Sequence, residues 1–430
     1  MTWRRRLACG GAWLVPILAS VLLAGCGARD SKEQVIRFWA MGREAEVVTA
    51  LVPEFERAHP GIRIEVQQLA WTAAHEKLLT AFAGDATPDI CQLGNTWIPE
   101  FGALGALEPL DERIAASKVI DRADYFDGIW ATNVLGGRVL GVPWYVDTRL
   151  LFYRKDLLAK AGYDHPPTTW AEWHEMLRAI KREAGPGNFA VLLPLNEFEP
   201  LLVLALQQPE PLLRDGGRYG NFESASFRAA LGFYSSLFNE QLAPAVTDTQ
   251  ISNVWLEFAR GYYSFYITGP WNIGEFRRRL PPDKQDSWMT APMPGPDGPG
   301  VSSAGGSSFA IFRRSKHKDA AWSFVEFLSR PEIQQRFHAL TGDLPPRRSA
   351  WTSRELTGDP YTQAFRVQLE RLRPVPQVPE WERIMEEMRL AAERVSHRTQ
   401  TIDEAVTQLD ARVDQLLEKR RWMLDREARK

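Results

Sequence analysis

From residue 34 onward, short runs alternating apolar and polar residues are followed by segments whose apolar positions recur every three to four residues, the signatures of strands and amphipathic helices in turn. Residues 35–40 predict a strand, 44–59 a helix closed by Pro60-Gly61, and 62–66 a second strand. Residues 71–83 predict a helix stopped by Gly84, 89–93 a strand and 97–104 a helix. Residues 138–143 and 150–153 read as strands on either side of 144–149, and 156–161 as a short helix. Over 170–183 a helix is expected, with Thr169 as its N-cap and Glu172 three residues later. Helices at 227–239 and 254–260, the latter ended by Gly261, precede a strand at 262–268 that runs into Gly269-Pro270-Trp271-Asn272. Four prolines and three glycines within 292–300 form the clearest linker signal in the chain. Then come a strand at 309–312, helices at 318–328 and 331–340, a break at 341–348, and nearly continuous helix over 379–428 interrupted near 396–401. Strand followed by helix at crossover spacing predicts an α/β fold with helices on the faces of the sheet. No internal repeat or low-complexity tract interrupts it.

The first 25 residues have a different character. Arg4, Arg5 and Arg6 precede an apolar stretch from Leu7 that ends in Leu23-Ala24-Gly25-Cys26. A positive start, an apolar middle and small residues before a cut make a secretory leader. The cysteine after the cut resembles that of bacterial lipoproteins, which implies a lipid on Cys26, residues 26–32 as a tether, and a protein held at the membrane by its anchor alone. An uncleaved transmembrane helix is the alternative, and Gly10-Gly11 and Pro16 speak against it. Export places the mature chain in the periplasm or outside the cell, where nucleotide cofactors are not expected; binding, adhesion and hydrolysis gain weight.

The 405 remaining residues suffice for two domains with substantial cores. The whole chain has a net charge of −2, and losing three leader arginines brings the mature protein to −5. Both signs are interspersed, so no nucleic-acid surface is indicated. Beyond Cys9 and Cys26 only Cys91 remains, which leaves no partner for an intrachain disulfide. The seven histidines never fall at metal-ligand spacing, no Gly-x-Ser-x-Gly nucleophile turn occurs, and the glycine-containing loops lack the phosphate-loop lysine pattern, so neither a metal, a catalytic residue nor a cofactor is expected. Of sixteen tryptophans, several follow predicted strands.

Four motifs, in order, are similar to those of the extracellular solute-binding proteins that serve ABC importers, the family of the maltose- and trehalose-binding proteins. They are Lys77 to Ile90 continuing to Asp111; Gly141-Val142-Pro143-Trp144 with Asp147-Thr148-Arg149 and Tyr153 to Leu157; Gly269-Pro270-Trp271; and Gly305-Gly306 with Ala320-Ala321-Trp322 and Phe324 to Leu328. Gly342 to Pro345 is similar to the family's late hinge. The resemblance implies a two-lobed periplasmic-binding-protein fold with a ligand cleft between lobes. Lobe one would comprise 33–143 and 297–341, lobe two 150–290 and 348–430, with hinges near 144–149, 291–296 and 342–347. It implies a monomer that captures a sugar or short oligosaccharide by hinge closure and hands it to an ABC permease and, through that, to a cytoplasmic ATPase. A binder of a non-sugar solute such as a polyamine or phosphodiester, and a secreted glycoside hydrolase, are the alternatives.

A pyranose has hydroxyls around its rim and C–H patches on its faces. The rim calls for carboxylates and amides, the faces for flat aromatic rings. Candidates lie in loops after strands, where an α/β lobe places its crevice: Trp39 and Glu44; Trp71; Asn95, Thr96 and Trp97; Tyr145 and Asp147; Glu197; Trp271; Gly305 and Gly306, whose lack of side chains would let backbone N–H groups approach a ligand; and Arg347. Plainer roles compete: core packing for Trp39, Trp71 and Trp97, and a local ion pair at a bend for Asp147 and Arg149. Trp170, Trp173, Trp255, Trp322 and Trp351 are assigned to packing, since they lie on or beside amphipathic helices.

Overall fold

The structure is a computed structural model that describes residues 33–427; the leader, Cys26 and the whole of the tether lie outside these residues. The elements that position the site are, in chain order, β1 (Gln34–Met41), α1 (Gly42–Ala58), β2 (Ile62–Leu69), α2 (Trp71–Ala83), β3 (Ile90–Gly94), β4 (Val142–Asp147), β5 (Leu150–Arg154), α3 (Trp170–Ala184), β6 (Val191–Leu192) and α4 (Glu199–Leu206). They continue with β7 (Phe265–Thr268), α5 (Trp271–Arg279), β8 (Trp288–Ala291), β9 (Ser302–Ser303), β10 (Gly305–Ile311), α6 (Lys318–Leu328), α7 (Pro331–Thr341), β11 (Leu372–Arg373), α8 (Trp381–Ser396), α9 (Ile402–Leu416) and α10 (Glu418–Glu427).

Two α/β lobes result. The first is built on a sheet of order β2-β1-β3-β10-β4, in which β1 pairs in parallel with β2 and β3 while β10 runs antiparallel to β3 and β4. Its strands β3, β10 and β4 are buried on both faces, and the sheet packs on one side against Phe55, Phe324 and Phe327 and on the other against Leu78, Ile98 and Phe101, while the edge strand β2 leaves Arg63, Glu65, Gln67 and Gln68 exposed. The second sheet has the order β8-β5-β7-β6 and shares a larger apolar core with α3, α4, α8 and α9. In that core Trp173, Trp288 and Trp381 are fully buried. Helix ends follow local chemistry: Thr169 accepts from the Glu172 N–H to start α3. The Glu172 carboxylate caps Thr168 instead of Thr169, one residue upstream of a standard capping box.

Two crossovers differ from expectation. Residues 144–149 were expected to form a hinge between strands, but β4 continues to Asp147, so only Thr148 and Arg149 link the two sheets. The Pro-Gly segment expected to cross near 291–296 stays with the second lobe: the Gly295 N–H and C=O bond Thr168 and Trp170, and Gln368 bonds Met293 and Gly300. The chain changes lobe at Ala304, between β9, paired with β11, and β10. Near the third expected hinge, the Leu344 carbonyl accepts from the Val146 N–H and the Pro346 carbonyl from the Phe126 N–H.

Candidate functional site

A cleft of about 510 Å³ lies between the lobes, at the ends of both sheets. The first lobe contributes Glu44 from the first turn of α1, Trp71 as the first residue of α2, and Asn95, Thr96 and Trp97 from the turn after β3. Tyr145 and Asp147 reach it from β4, and Gly305 and Gly306 from the start of β10. Across the gap stand Glu199 at the start of α4, Trp271 at the start of α5, and Glu382 in the first turn of α8, with Arg149 at the crossover and Asp343 after α7. Most polar groups therefore sit at a strand or helix terminus, where the main chain is held by its own element and the side chain is free to project.

Tyr145 is the centre of a buried hydrogen-bond network. Its hydroxyl donates to Glu44 Oε1 at 2.9 Å and accepts from Gln92 Nε2 at 3.1 Å, and it lies 3.1 Å from Ser307 Oγ. Gln92 is fixed in turn by the Met41 N–H at 2.7 Å. The network orients Glu44, so that its carboxylate is pre-set before any ligand arrives. Asn95 is half-engaged: its Oδ1 accepts from Ser308 at 3.0 Å while its buried Nδ2 has no protein partner among the described residues. A buried donor without a partner is costly, and a ligand acceptor in the cleft would satisfy it.

Arg149 donates to Asp147 Oδ1 and to Glu199 Oε1, and its guanidinium lies 4.7 Å from the centre of the Trp271 ring. Burial opposes its charge, yet Asp147 and Glu199 outweigh burial and raise it above the ordinary arginine value. Burial raises Glu44, Asp147 and Glu382, although bonds from Tyr145, Arg149 and Thr96 respectively pull the other way. Burial, and then the Glu44 charge, push Asp343 up to about 8. The cleft thus carries more carboxylates than cations, flanked by aromatic planes. Trp71 is 39% and Trp271 40% exposed, from opposite lobes, while Trp97 is half-buried and meets Trp71 edge-on at 5.9 Å.

Ten of the thirteen expected residues line the cleft, and three do not. Trp39 is only 9% exposed and packs in the first lobe's core, with Lys77 over its ring. Glu197 stands behind the lining, accepting from Tyr266 at 3.4 Å; burial, and then the neighbouring Glu199 charge, raise it to about 7. Its neighbour Glu199 is the residue that faces the cleft. Arg347 is turned inward, donating to Asp124 at 2.6 Å and to the Ser329 carbonyl at 2.5 Å, and so ties the late hinge segment to the first lobe. Gly305 and Gly306 do line the cleft, but the reason they are glycine differs from expectation. A Cβ on Gly306 would sit 2.2 Å from the Tyr145 carbonyl and one on Gly305 2.5 Å from that of Asp147, so the close approach of β10 to β4 requires them. Asp147 and Arg149 form the local ion pair and both line the cleft.

Glu199, Asp343 and Glu382 were missed. Only Glu382 had a usable signal, an acid in the first turn of a helix whose start was marked by Pro379. A second chamber of about 1010 Å³ shares Glu44, Trp271 and Asp343 with the cleft and continues outward between α5 and the end of α7. Among the described residues no group of His, Cys, Asp and Glu is placed to hold a metal ion, and no helix is long and apolar enough to cross a membrane.

The sequence profile described as "Bacterial extracellular solute-binding protein" matches residues 42–335. The chain is 57% identical to a solved structure of the sugar-binding protein MalE from Xanthomonas citri, with a TM-score of 0.89, covering 91% of this chain and 99% of that one. It is 25% identical over 381 residues to the diacetylchitobiose-binding protein DasA of Streptomyces coelicolor, covering 84% of this chain and 87% of that protein. An uncharacterized lipoprotein of Streptomyces antibioticus is 27% identical over 382 residues, covering 84% of this chain and 83% of the relative.

Proposed function

The chain belongs to the bacterial extracellular solute-binding protein family, and from that premise we propose that it is the sugar-capturing subunit of an ABC importer. The observation that carries this is the pairing of oriented carboxylates with two exposed indoles from opposite lobes, Trp71 and Trp271. Glu44, Asp147, Glu199 and Glu382 accept from ring hydroxyls, charge-assisted bonds worth about 1.5–3 kcal/mol each. Asn95 Nδ2 donates to a hydroxyl oxygen, and the indoles cover the C–H faces. Sugar settles on one lobe while the cleft is open; the second lobe then swings in about the crossovers at Thr148-Arg149, Ala304 and the 342–347 segment, and buries it.

A few such bonds and two stacked rings, less the cost of ordering, suffice for micromolar affinity, about −8 kcal/mol. The outer chamber beyond Trp271 leaves room for a ligand longer than the inner cleft. The loaded, closed monomer docks on a membrane permease that a cytoplasmic ATPase drives, and a lipid on Cys26 keeps it at the membrane surface. No turnover accompanies binding, because delivery requires the intact sugar.

A thermal-shift screen of the mature protein against maltose, trehalose, lactose, N,N′-diacetylchitobiose and short arabino-oligosaccharides tests this, with chromatography of the same samples. Saturable stabilisation by at least one sugar, which is recovered unchanged, is the expected result. Released shorter sugars would establish a hydrolase instead, and stabilisation by a polyamine or phosphodiester alone would replace the sugar with another solute.

A further inference from the structure

Trp271 presents a problem of control. It is 40% exposed, so core packing does not fix its side chain, yet a stacking surface is useful only in a defined plane. Two contacts supply what the core does not. The six-membered part of the ring rests on Gly269, where a Cβ would fall 1.7 Å from Cζ3, so the glycine leaves the only space into which the ring folds back. The guanidinium of Arg149 lies over the ring at 4.7 Å.

Arg149 is itself held on every side. Its two terminal nitrogens are taken by Asp147 and Glu199, its side chain is 12% exposed, and its carbonyl accepts from Ser302 Oγ at 2.6 Å. It sits in the two-residue link between β4 of the first lobe and β5 of the second, while Glu199 and Trp271 belong to the second lobe alone. One planar cation therefore spans an acid from each lobe and an aromatic plane. Lysine matches the charge but not the flat fork or the stacking face.

We infer that Arg149 is the positioning residue that sets the plane of Trp271 and the facing oxygens of Asp147 and Glu199, making stacking specificity a property of the interlobe crossover. It acts through its neighbours, without needing a ligand bond of its own. The affinity part of its test rests on the sugar-binding proposal above; the conformational part does not.

The test uses the full mature chain labelled with fluorotryptophan, in which the Trp271 resonance is identified by its absence in Trp271→Phe. In Arg149→Lys, without ligand, that resonance should shift and broaden while the melting temperature stays close to that of the parent. Binding of the tightest sugar from the panel should weaken by about tenfold, as for a side chain that must now be ordered on binding. In a Trp271→Ala background the same lysine substitution should cost little further affinity, since coupled residues are not additive. An unaltered Trp271 resonance in Arg149→Lys, or fully additive losses in the cycle, would overturn the inference. Should Arg149→Lys prove unstable, Glu199→Gln removes one of the two acids that fix the guanidinium; the same resonance should move, and its constancy would overturn the inference equally. If no sugar binds any form, the sugar proposal fails, and the resonance still decides the role of Arg149.

Discussion

Asp343→Asn should flatten the pH dependence of stability. In the folded protein burial and the nearby Glu44 charge push the Asp343 carboxyl up to about 8, against an ordinary value of 3.8 in the unfolded chain. A folded-state value above the unfolded one means that the folded protein keeps a proton the unfolded chain has released. Stability therefore falls as pH rises between the two values, and the loss is complete above about pH 8. At about 1.4 kcal/mol per unit, a shift of about four units sets a ceiling of about 5–6 kcal/mol. The group lines the cleft mouth, and Thr341 and Arg43 favour its charged form. Relaxation and solvent there should reduce the penalty to about 2–3 kcal/mol. For a chain of this length that is roughly 3 °C in melting temperature. Calorimetric melts of sugar-free protein should show Asp343→Asn melting with the parent near about pH 4 and above it by about that margin near about pH 8. A difference independent of pH, or an asparagine variant less stable at the alkaline end, would refute the reasoning.

Other substitutions separate binding from folding. Trp271→Ala should weaken sugar binding by about thirtyfold, about 2 kcal/mol for the indole surface a sugar would cover, with little change in melting temperature; affinity within twofold of the parent by calorimetric titration would remove Trp271 from the site. Arg347→Ala should do the reverse, costing about 3 kcal/mol in urea unfolding because Asp124 is left without its cation, while the sugar affinity of the folded variant stays unchanged. Gly306→Ala should lose about 3 kcal/mol or more, since its φ of +121° and the Tyr145 carbonyl at 2.2 Å exclude a Cβ; a fully stable variant would show that β10 can move away from β4.

Much of this was legible where local chemistry decides. α2 runs from Trp71 to Ala83 as its pattern indicated, and Gly261 ends the helix Val254–Arg260 at a φ of +83°. α4 was not visible, because Glu199–Leu206 is buried on nearly every side and so shows no polar face to set a period. β4 was cut short for a related reason: Val142 to Val146 is apolar without alternation, as befits a strand covered on both faces, and its bounds depend on what it pairs with. Site residues followed the same division. Glu44, Trp71 and Trp271 could be found because they begin helices directly after strands. Arg347 was misplaced because its partner Asp124 is 223 positions away, and no spacing carries that information. The Pro-Gly segment looks like a hinge by composition, but whether a loop bends or is pinned depends on partners such as Thr168 and Gln368, distant in sequence.

Small-angle scattering of the mature protein with and without saturating sugar tests the central claim most directly, because it reads capture and closure together. The account predicts a smaller radius of gyration and a narrower distance distribution with the cognate saccharide, and neither change with Trp271→Ala at a sugar concentration that saturates only the parent. An envelope unchanged by a sugar that calorimetry shows to be bound would contradict closure, and the clamp would have to be abandoned.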